Sequence, residues 1–400
     1  MPITSLTCPP PVSRSSRPTT PDYDLLDRAL ELYAEGKPKE SAQKVFEHLF
    51  PGRAIPDLAK ESFTFPQGSS RVTVALVGDD LEVRVPLVRL TPSSNATAAL
   101  RFVLTKMSGS GQLHQPRLRG DDIHLEFRDK VARLHPMKLM ETLRRSPIEA
   151  DQNDDWMVDQ FGVAPLEREP LAALSPEEID RAEQIWRAHW AEVEELTKES
   201  QRKRSMFFLN ELTGFALHHV RWSLPLSGAL LSRVLEGAGT FNDPDVEPTR
   251  REAALAKCTK EMKAVGRAEL EKNLGHAEYS LSPRGEGTLE VLTNCLAGEY
   301  RDTLTKLRQS GKHVDAALGL FGTYCYLLGR FSWSEAVETA LVEGIVSQSG
   351  KPWREAAGAL LVQAKVVLEI AEKASLRPSA GDDPAAAGAD ADADSEEQPS

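Results

Sequence analysis

The sequence predicts an α+β N-terminal module, an antiparallel sheet with flanking helices, followed by an all-α helical domain, with disordered stretches at both termini. Three observations lead there. Apolar residues alternate with polar ones from Val72 to Leu87 and again from Ile123 to Phe127, the period of strands with one buried face. From Ser175 onward the apolar spacing is helical and no strand pattern intervenes. The two ends, proline-rich over 1–20 and acidic over 376–400, have no apolar periodicity with which to build a core. A chain of 400 residues exceeds what one core usually fills. Two folded units are therefore expected, 21–165 and 166–375, separable at the proline- and glutamate-rich join Ala164–Leu174.

Residues 22–51 read as a helical hairpin turning at Gly36-Lys37-Pro38, with Leu26, Ala29, Leu30 and Tyr33 facing Ala42, Phe46 and Leu49. Gly36, then Ala42 and Phe46 at A-x3-F spacing, then Pro51 resemble one tetratricopeptide unit. One such unit cannot close a core alone, so it is expected to cap the sheet. Gly78-Asp79-Asp80 turns a first strand pair whose second face carries Arg71, Thr73, Glu82 and Arg84. Asn95–Met107 returns to helix, with Leu100, Val103, Leu104 and Met107 on one stripe and Phe102 to its side. A second strand pair turns at Arg119–Asp122 and places His124, Glu126 and Arg128 opposite the apolar face of Ile123, Leu125 and Phe127. Residues 136–161 follow as a helix that Pro147 breaks or restarts. Ser175-Pro176-Glu177-Glu178 is a helix start, an N-cap followed by proline and first-turn acids. Helices are then expected to about Arg204, across Phe208–Trp222, and near 225–236, 248–273, 287–309, 313–329, 333–347 and 352–374.

The order helix, strand pair, helix, strand pair, helix, with the segments GDDLEVRVPLVRL, NATAALRFVLTKM, LRGDDIHLEF and NDDWMVDQFGV, resembles the YbjN-like family. This is the sensory-transduction-regulator domain that shares its fold with class I type III secretion chaperones. Asp155, Trp156 and Phe161-Gly162 sit where that family's terminal helix usually ends. The resemblance covers about residues 55–165, and the hairpin in front and Pro147 depart from it. It implies a domain that is not an enzyme and that binds protein segments, often as a dimer through the region of the 95–107 helix.

Composition excludes several classes. The net charge is −12, and residues 376–400 hold seven acids against one arginine, so half of it lies in that stretch. An acidic balance argues against a nucleic-acid partner, which needs a concentrated cationic surface. Lys198, Arg202, Lys203 and Arg204 end a long helix, where cations suit the helix dipole. No apolar run approaches the ~20 residues that cross a bilayer, and the N-terminus lacks the basic start and apolar core of a signal peptide. The expectation is a soluble, cytoplasmic chain without membrane insertion.

Each candidate for chemistry has a plainer reading. Cys8, Cys258, Cys295 and Cys325 are scattered singly, without ligand spacing to a histidine. Asp390, Asp392 and Asp394 imitate a calcium loop but lack its glycine and closing glutamate. Asp243, Asp245 and Glu247 flank Pro244 in a turn. His218 and His219 are adjacent on a helix and diverge by about 100°; His219 shares the Phe215 and Trp222 stripe and reads as a hydrogen-bonded core histidine. Gly-rich phosphate loops, nucleophile elbows and zinc-protease motifs are absent from the sequence, so neither cofactor nor metal is expected.

The reading is a non-enzymatic adaptor or secretion-chaperone-like regulator that binds a protein client or a second copy of itself through the α/β module. Its candidate contacts are Leu100, Phe102, Val103 and Met107 on the helix, or the sheet face of Arg84, His124 and Glu126. The alternatives are an enzyme with a site in the helical domain, using His218, Asp243 and Glu247, and a structural component of a larger assembly.

Overall fold

The computed structural model describes residues 3–12, 23–58, 60–109 and 111–373. Its first half is an antiparallel sheet with helices, and the rest is mostly helical. Helices α1 (Tyr23–Ala34) and α2 (Pro38–Leu49) make the hairpin, with Gly36 at φ +76° where the chain reverses. Leu32, not Leu30, completes the buried stripe with Leu26 and Ala29. The rings of Phe46, Phe50, Phe63 and Phe65 interlock at centroid distances from 4.7 to 6.4 Å and seat the hairpin on the sheet.

The sheet contains β1 (Phe63–Gly68), β2 (Ser70–Val77), β3 (Asp80–Arg89), β4 (Gln115–Arg119), β5 (Asp122–Lys130), β6 (Ala164–Pro165) and β7 (Glu278–Tyr279). Its order is β4-β5-β3-β2-β1-β7, with β6 on the end of β3. Both expected strand pairs form, β2 with β3 and β4 with β5, and β3 pairs with β5 between them, setting Arg84 opposite Thr73 on one side and Glu126 on the other. Helix α3 (Ala96–Lys106) connects the pairs, and α4 (Pro136–Phe161) packs on β3, β1 and β2. Pro147 does not break α4. It is buried with Leu143 and Ala150 on the core side, and packing there offsets the one backbone hydrogen bond that proline removes.

The second half comprises α5 (Pro176–Lys203), α6 (Met206–Ser223), α7 (Gly228–Phe241), α8 (Pro248–Ala264), α9 (Arg267–Lys272), α10 (Leu289–Leu296), α11 (Gly298–Gln309), α12 (His313–Arg330), α13 (Glu335–Val346) and α14 (Trp353–Lys373). Ser175 and Glu178 form the reciprocal cap that starts α5. Two expected helices are each split, one at Val265–Gly266 and one at Ala297–Gly298, where Gly298 takes φ +62°. The expectation of no strand here is corrected by β7 and by β8 (Gly285–Glu286), which pairs in parallel with β9 (Phe331–Ser332). Strands of two residues are too short to show a period of 2.

Two apolar cores result, and the chain crosses between them. Leu281 belongs to the core of the sheet, while Leu6, Cys8 and Val12 belong to that of the helices. The disordered lead-in expected over 1–20 is thus corrected for residues 3–12, which lie as an extended strap on the helical unit. Leu6 and Cys8 have no exposed surface. The strap's backbone is satisfied by distant partners: Gly350 N donates to Leu6 O (2.7 Å), Trp353 Nε1 to Ile3 O (2.9 Å), Cys8 N to Ser349 Oγ (2.9 Å) and Val12 N to Ser223 O (2.9 Å). A strap bonded this way has neither helical nor strand period, so its sequence looks structureless. Residues 13–20 and the acidic stretch 376–400 lie outside the described residues.

Cys8 ends beside Cys325 and His219. His189 Nε2 must donate to the Ala216 carbonyl (3.0 Å), so its Nδ1 accepts from His219 Nδ1 (2.8 Å). His219 is therefore the hydrogen-bonded core histidine expected of it.

A polar latch joins the two units. Ser69 N donates to Asp151 (2.5 Å), Ser69 Oγ to Asp154 (2.6 Å), and the Tyr279 hydroxyl to Asp151 (3.1 Å); Arg168 pairs with Asp155. Gln67 Nε2 donates to Leu281 O (2.8 Å), and Leu281 N donates back to Gln67 Oε1 (2.9 Å).

Two predictions follow from these contacts. Leu6→Ala should destabilise the chain by about 2–4 kcal/mol in denaturant unfolding, as for a large-to-small change in a packed core. A change within ~0.5 kcal/mol, typical of surface sites, would contradict a docked strap. Burial raises the carboxyl of Asp151 and pushes that of Asp154 up to about 7. A carboxyl raised above its unfolded value stabilises the fold while protonated, and that contribution is lost as pH rises through 7. Between pH 6 and 8 Asp154→Asn should therefore lose about 1 kcal/mol less stability than the parent chain. Equal losses would mean that Asp154 is already ionised at pH 6.

Candidate functional site

Helix α3 does not offer the apolar patch expected of it. Asn95 caps it by accepting from Ala98 N (3.2 Å), and the buried stripe is Ala99, Val103 and Met107. Val103 and Met107 are thus core residues, which corrects their placement on a binding surface. Leu100 and Phe102 are half-buried against the same core. Phe102 stacks on Trp156 at 4.5 Å and meets Phe161 at 5.8 Å, both on α4. Of the expected stripe, Leu104 alone is well exposed, at 67%, and one exposed leucine is ordinary on a protein surface.

The second expected set does come together. On the side of the sheet away from α4, Arg84 faces Glu126, and His124 faces both Pro86 and Arg117. Glu126 accepts from Arg119 through both oxygens (2.5 and 3.0 Å), and Arg84 Nε lies 3.5 Å away. Burial would raise the Glu126 carboxyl, but the Arg119 hydrogen bond and charge, with Arg84 and His124, hold it below its usual value. Arg128 pairs with Asp80 (2.8 Å) and Glu82 (3.0 Å). A hollow of about 490 Å³ opens on this face, lined by Arg84, Arg117, Arg119, Arg128 and Lys138 against only Glu82 and Glu126. Lys138 is paired with Asp129 (2.6 Å) and Arg128 with Asp80, while Arg84 and Arg119 share Glu126 and Arg117 donates to Gln115, so the excess of cations over acids on this face is small. Arg84 Nε and His124 Nδ1 are buried without a hydrogen-bond partner, and His124, 6% exposed, does not line the hollow. Burial, then the charge of Arg84, lowers the pKa of His124.

One constellation was invisible in the sequence because its members are 32 residues apart. His114 Nδ1 lies 3.1 Å from Ser146 Oγ, and His114 Nε2 lies 3.3 Å from Glu149 Oε2. The line-up imitates a Ser-His-Glu triad, but Ser146 and His114 are 1% exposed, and Pro147 supplies no N–H for an oxyanion. Burial pushes Glu149 up to about 7 and His114 down to about 4, so the His114 ring is neutral and this is a buried contact of the fold.

The residues of the enzyme alternative are not brought together. His218 packs edge-on against Tyr326. Asp243 Oδ1 accepts from Asp245 N (2.8 Å) in a turn, and Glu247 precedes α8 without a side-chain cap. Cys8, Cys258 and Cys325 are buried and Cys295 is half-buried. Among the described residues no three His, Cys, Asp or Glu side chains are grouped to hold a metal ion, and no helix is long and apolar enough to cross a membrane. Asp390, Asp392 and Asp394 lie outside the described residues.

Because Phe102 closes an aromatic cluster, Phe102→Glu should cost about 1–3 kcal/mol and lower the melting temperature without changing the mass seen by light scattering. A stable variant that loses association would instead return α3 to the role of an interface. Neither a scan against protein-family models nor a search of curated proteins finds a match to this chain.

Proposed function

We propose that this is a non-enzymatic binding protein that recognises an acidic segment of a protein partner on the open face of its sheet, over β3, β5 and β4. The observation that carries the reading is the hollow on the open face, lined by Arg84, Arg117, Arg119, Arg128 and Lys138, in which Arg84 Nε reaches Glu126 only at 3.5 Å. A carboxylate laid into the hollow would meet the charges of Arg84, Arg117 and Arg119. In the existing pairs on the face the carboxylates are mostly buried and the arginines about half exposed, so it is the guanidiniums that are open to a partner. Resemblance of residues 55–165 to the YbjN-like and secretion-chaperone fold supports the same class of activity, because such domains bind protein segments.

The free edge of the sheet is a less suitable docking line. Pro116 in β4 removes one backbone donor, a feature that discourages strand addition. A face-on partner, held by charge, is therefore favoured over an added strand or an edge-to-edge dimer.

The test is titration of a fluorescent glutamate-rich peptide into the full chain, read by anisotropy. Binding should weaken steeply with added salt, and Arg84→Glu with Arg119→Glu should weaken it by at least about tenfold while the melting curve is preserved. Equal affinity of the variant, or of a lysine-rich peptide, would contradict the proposal.

A further inference from the structure

A second site lies in the helical unit, where α6 packs along α12. Glu211, Gly214 and His218 are spaced by 3 and 4 residues on α6 and so share one face. Gly322 and Tyr326, four apart on α12, share the facing one. The two helices run side by side in the same direction: a Cβ on Gly319 would lie 3.3 Å from Glu211 Oε2, one on Gly322 3.6 Å from the Glu211 carbonyl, and one on Gly329 3.6 Å from the His218 carbonyl. Beside this contact opens a cleft of about 320 Å³, lined by Glu211, His218, Tyr300, Thr323 and Tyr326 and bounded by Asn294 and Cys295 of α10. A cleft of that size holds a small organic molecule.

The lining holds one carboxyl and no cation. Glu211 Oε2 accepts from the Tyr300 hydroxyl at 2.7 Å. Among the described residues Glu211 forms no ion pair, and its Oε1 has no hydrogen-bond partner. Burial raises its carboxyl, the Tyr300 hydrogen bond lowers it, and no cation is among the groups that act on it. The remaining groups of the cleft are neutral. The His218 ring stands edge-on to Tyr326, with centroids 5.0 Å apart. Burial, then the charges of Arg221 and Arg330, pushes His218 down to about 3, so the ring carries no charge. Those arginines do not line the cleft, and Arg221 stands ten residues beyond Glu211, ~15 Å further along α6. Burial pushes the Cys295 thiol up to about 11, which keeps it protonated.

Glu211 is half-buried. An acid is rarely taken out of water unless a cation pairs with it, and a buried charge without a counter-ion is costly. A carboxylate left in that state, with two tyrosines and a neutral histidine in the same cleft, is complementary to an ammonium ion with an apolar body. The charge meets the acid, and aromatic rings attract the cation further. We propose that the cleft beside α6 and α12 binds a small organic amine in its protonated form, with the ammonium group paired to Glu211 and the apolar body against Tyr326. An anion of the same shape is repelled by Glu211, and a neutral alcohol leaves the acid without its counter-ion. This site is independent of the sheet face and of any protein partner bound there.

The experiment titrates benzylamine, benzyl alcohol and benzoate into the full chain at matched pH and ionic strength, by calorimetry. Benzylamine should bind saturably at one site per chain, and the alcohol and benzoate should not. Glu211→Gln keeps an oxygen to accept from Tyr300 but removes the charge, and should weaken benzylamine binding at least about tenfold. The same substitution should leave unchanged, or raise, the melting temperature of the free protein, because the charge it removes has no counter-ion. Tyr326→Leu, on the wall of the cleft, should weaken the binding about threefold. Failure of benzylamine to bind, equal binding of benzyl alcohol or benzoate, undiminished binding to either variant, or a marked loss of stability in Glu211→Gln would each overturn the proposal.

Discussion

The contact on which the rest of the structure depends is the one between Ser69 and the carboxylates of α4. Ser69 donates to Asp151 from its backbone and to Asp154 from its hydroxyl, which fixes the β1–β2 turn against the helix that lines the core side of the sheet. Gly68 makes the approach possible: it takes φ +65°, and a Cβ there would lie 2.4 Å from the Asp151 carboxyl. The same carboxylate accepts from Tyr279, at the end of β7. One buried acid thus ties together a turn, a helix and a strand contributed from more than a hundred residues downstream.

That tie decides which parts of the sheet remain open. β7 closes the edge of β1, α4 occupies the core face, and the stretch after β6 crosses part of the outer face, with Glu169 N donating to Ser69 O (2.9 Å) and its carboxylate pairing with Arg71. What remains is the outer surface of β3, β5 and β4, where the arginines gather. The position of the proposed recognition face is therefore a consequence of how the helical unit is attached, and not of the sheet alone.

Much of the fold could be read from the sequence because its signals are local. Alternation located β2, β3 and β5, and the Ser175–Glu178 cap located α5; the pairing of β3 with β5 that sets Arg84 against Glu126 joins two hairpins and is encoded in neither turn. Other parts depend on contacts that no local pattern encodes. The strap over 3–12 has no period because its hydrogen bonds run to Ser349, Gly350 and Trp353. β1 was missed because Pro66 interrupts FTFPQG, and β7 because two residues cannot alternate. The α3 surface was misjudged for a specific reason: helical spacing places Phe102 beside the stripe but does not reveal that Trp156 and Phe161 wait there to cover it. His218 and His219 diverge as adjacent helical residues do, His219 toward His189 and His218 toward Tyr326 of another helix.

Strap, latch and β7 cross between the two cores, so in place of the separable units expected from the sequence the chain is expected to open as one cooperative body, with the sheet face held and not hinged. Native-state hydrogen exchange on the full chain tests it most directly. The account predicts that the slowest amides of β2 and β3, such as Val74 and Val83, share one opening free energy with those of α6 and α12, such as Val220 and Leu320. Two well-separated values, with the sheet opening while the helices stay closed, would contradict it.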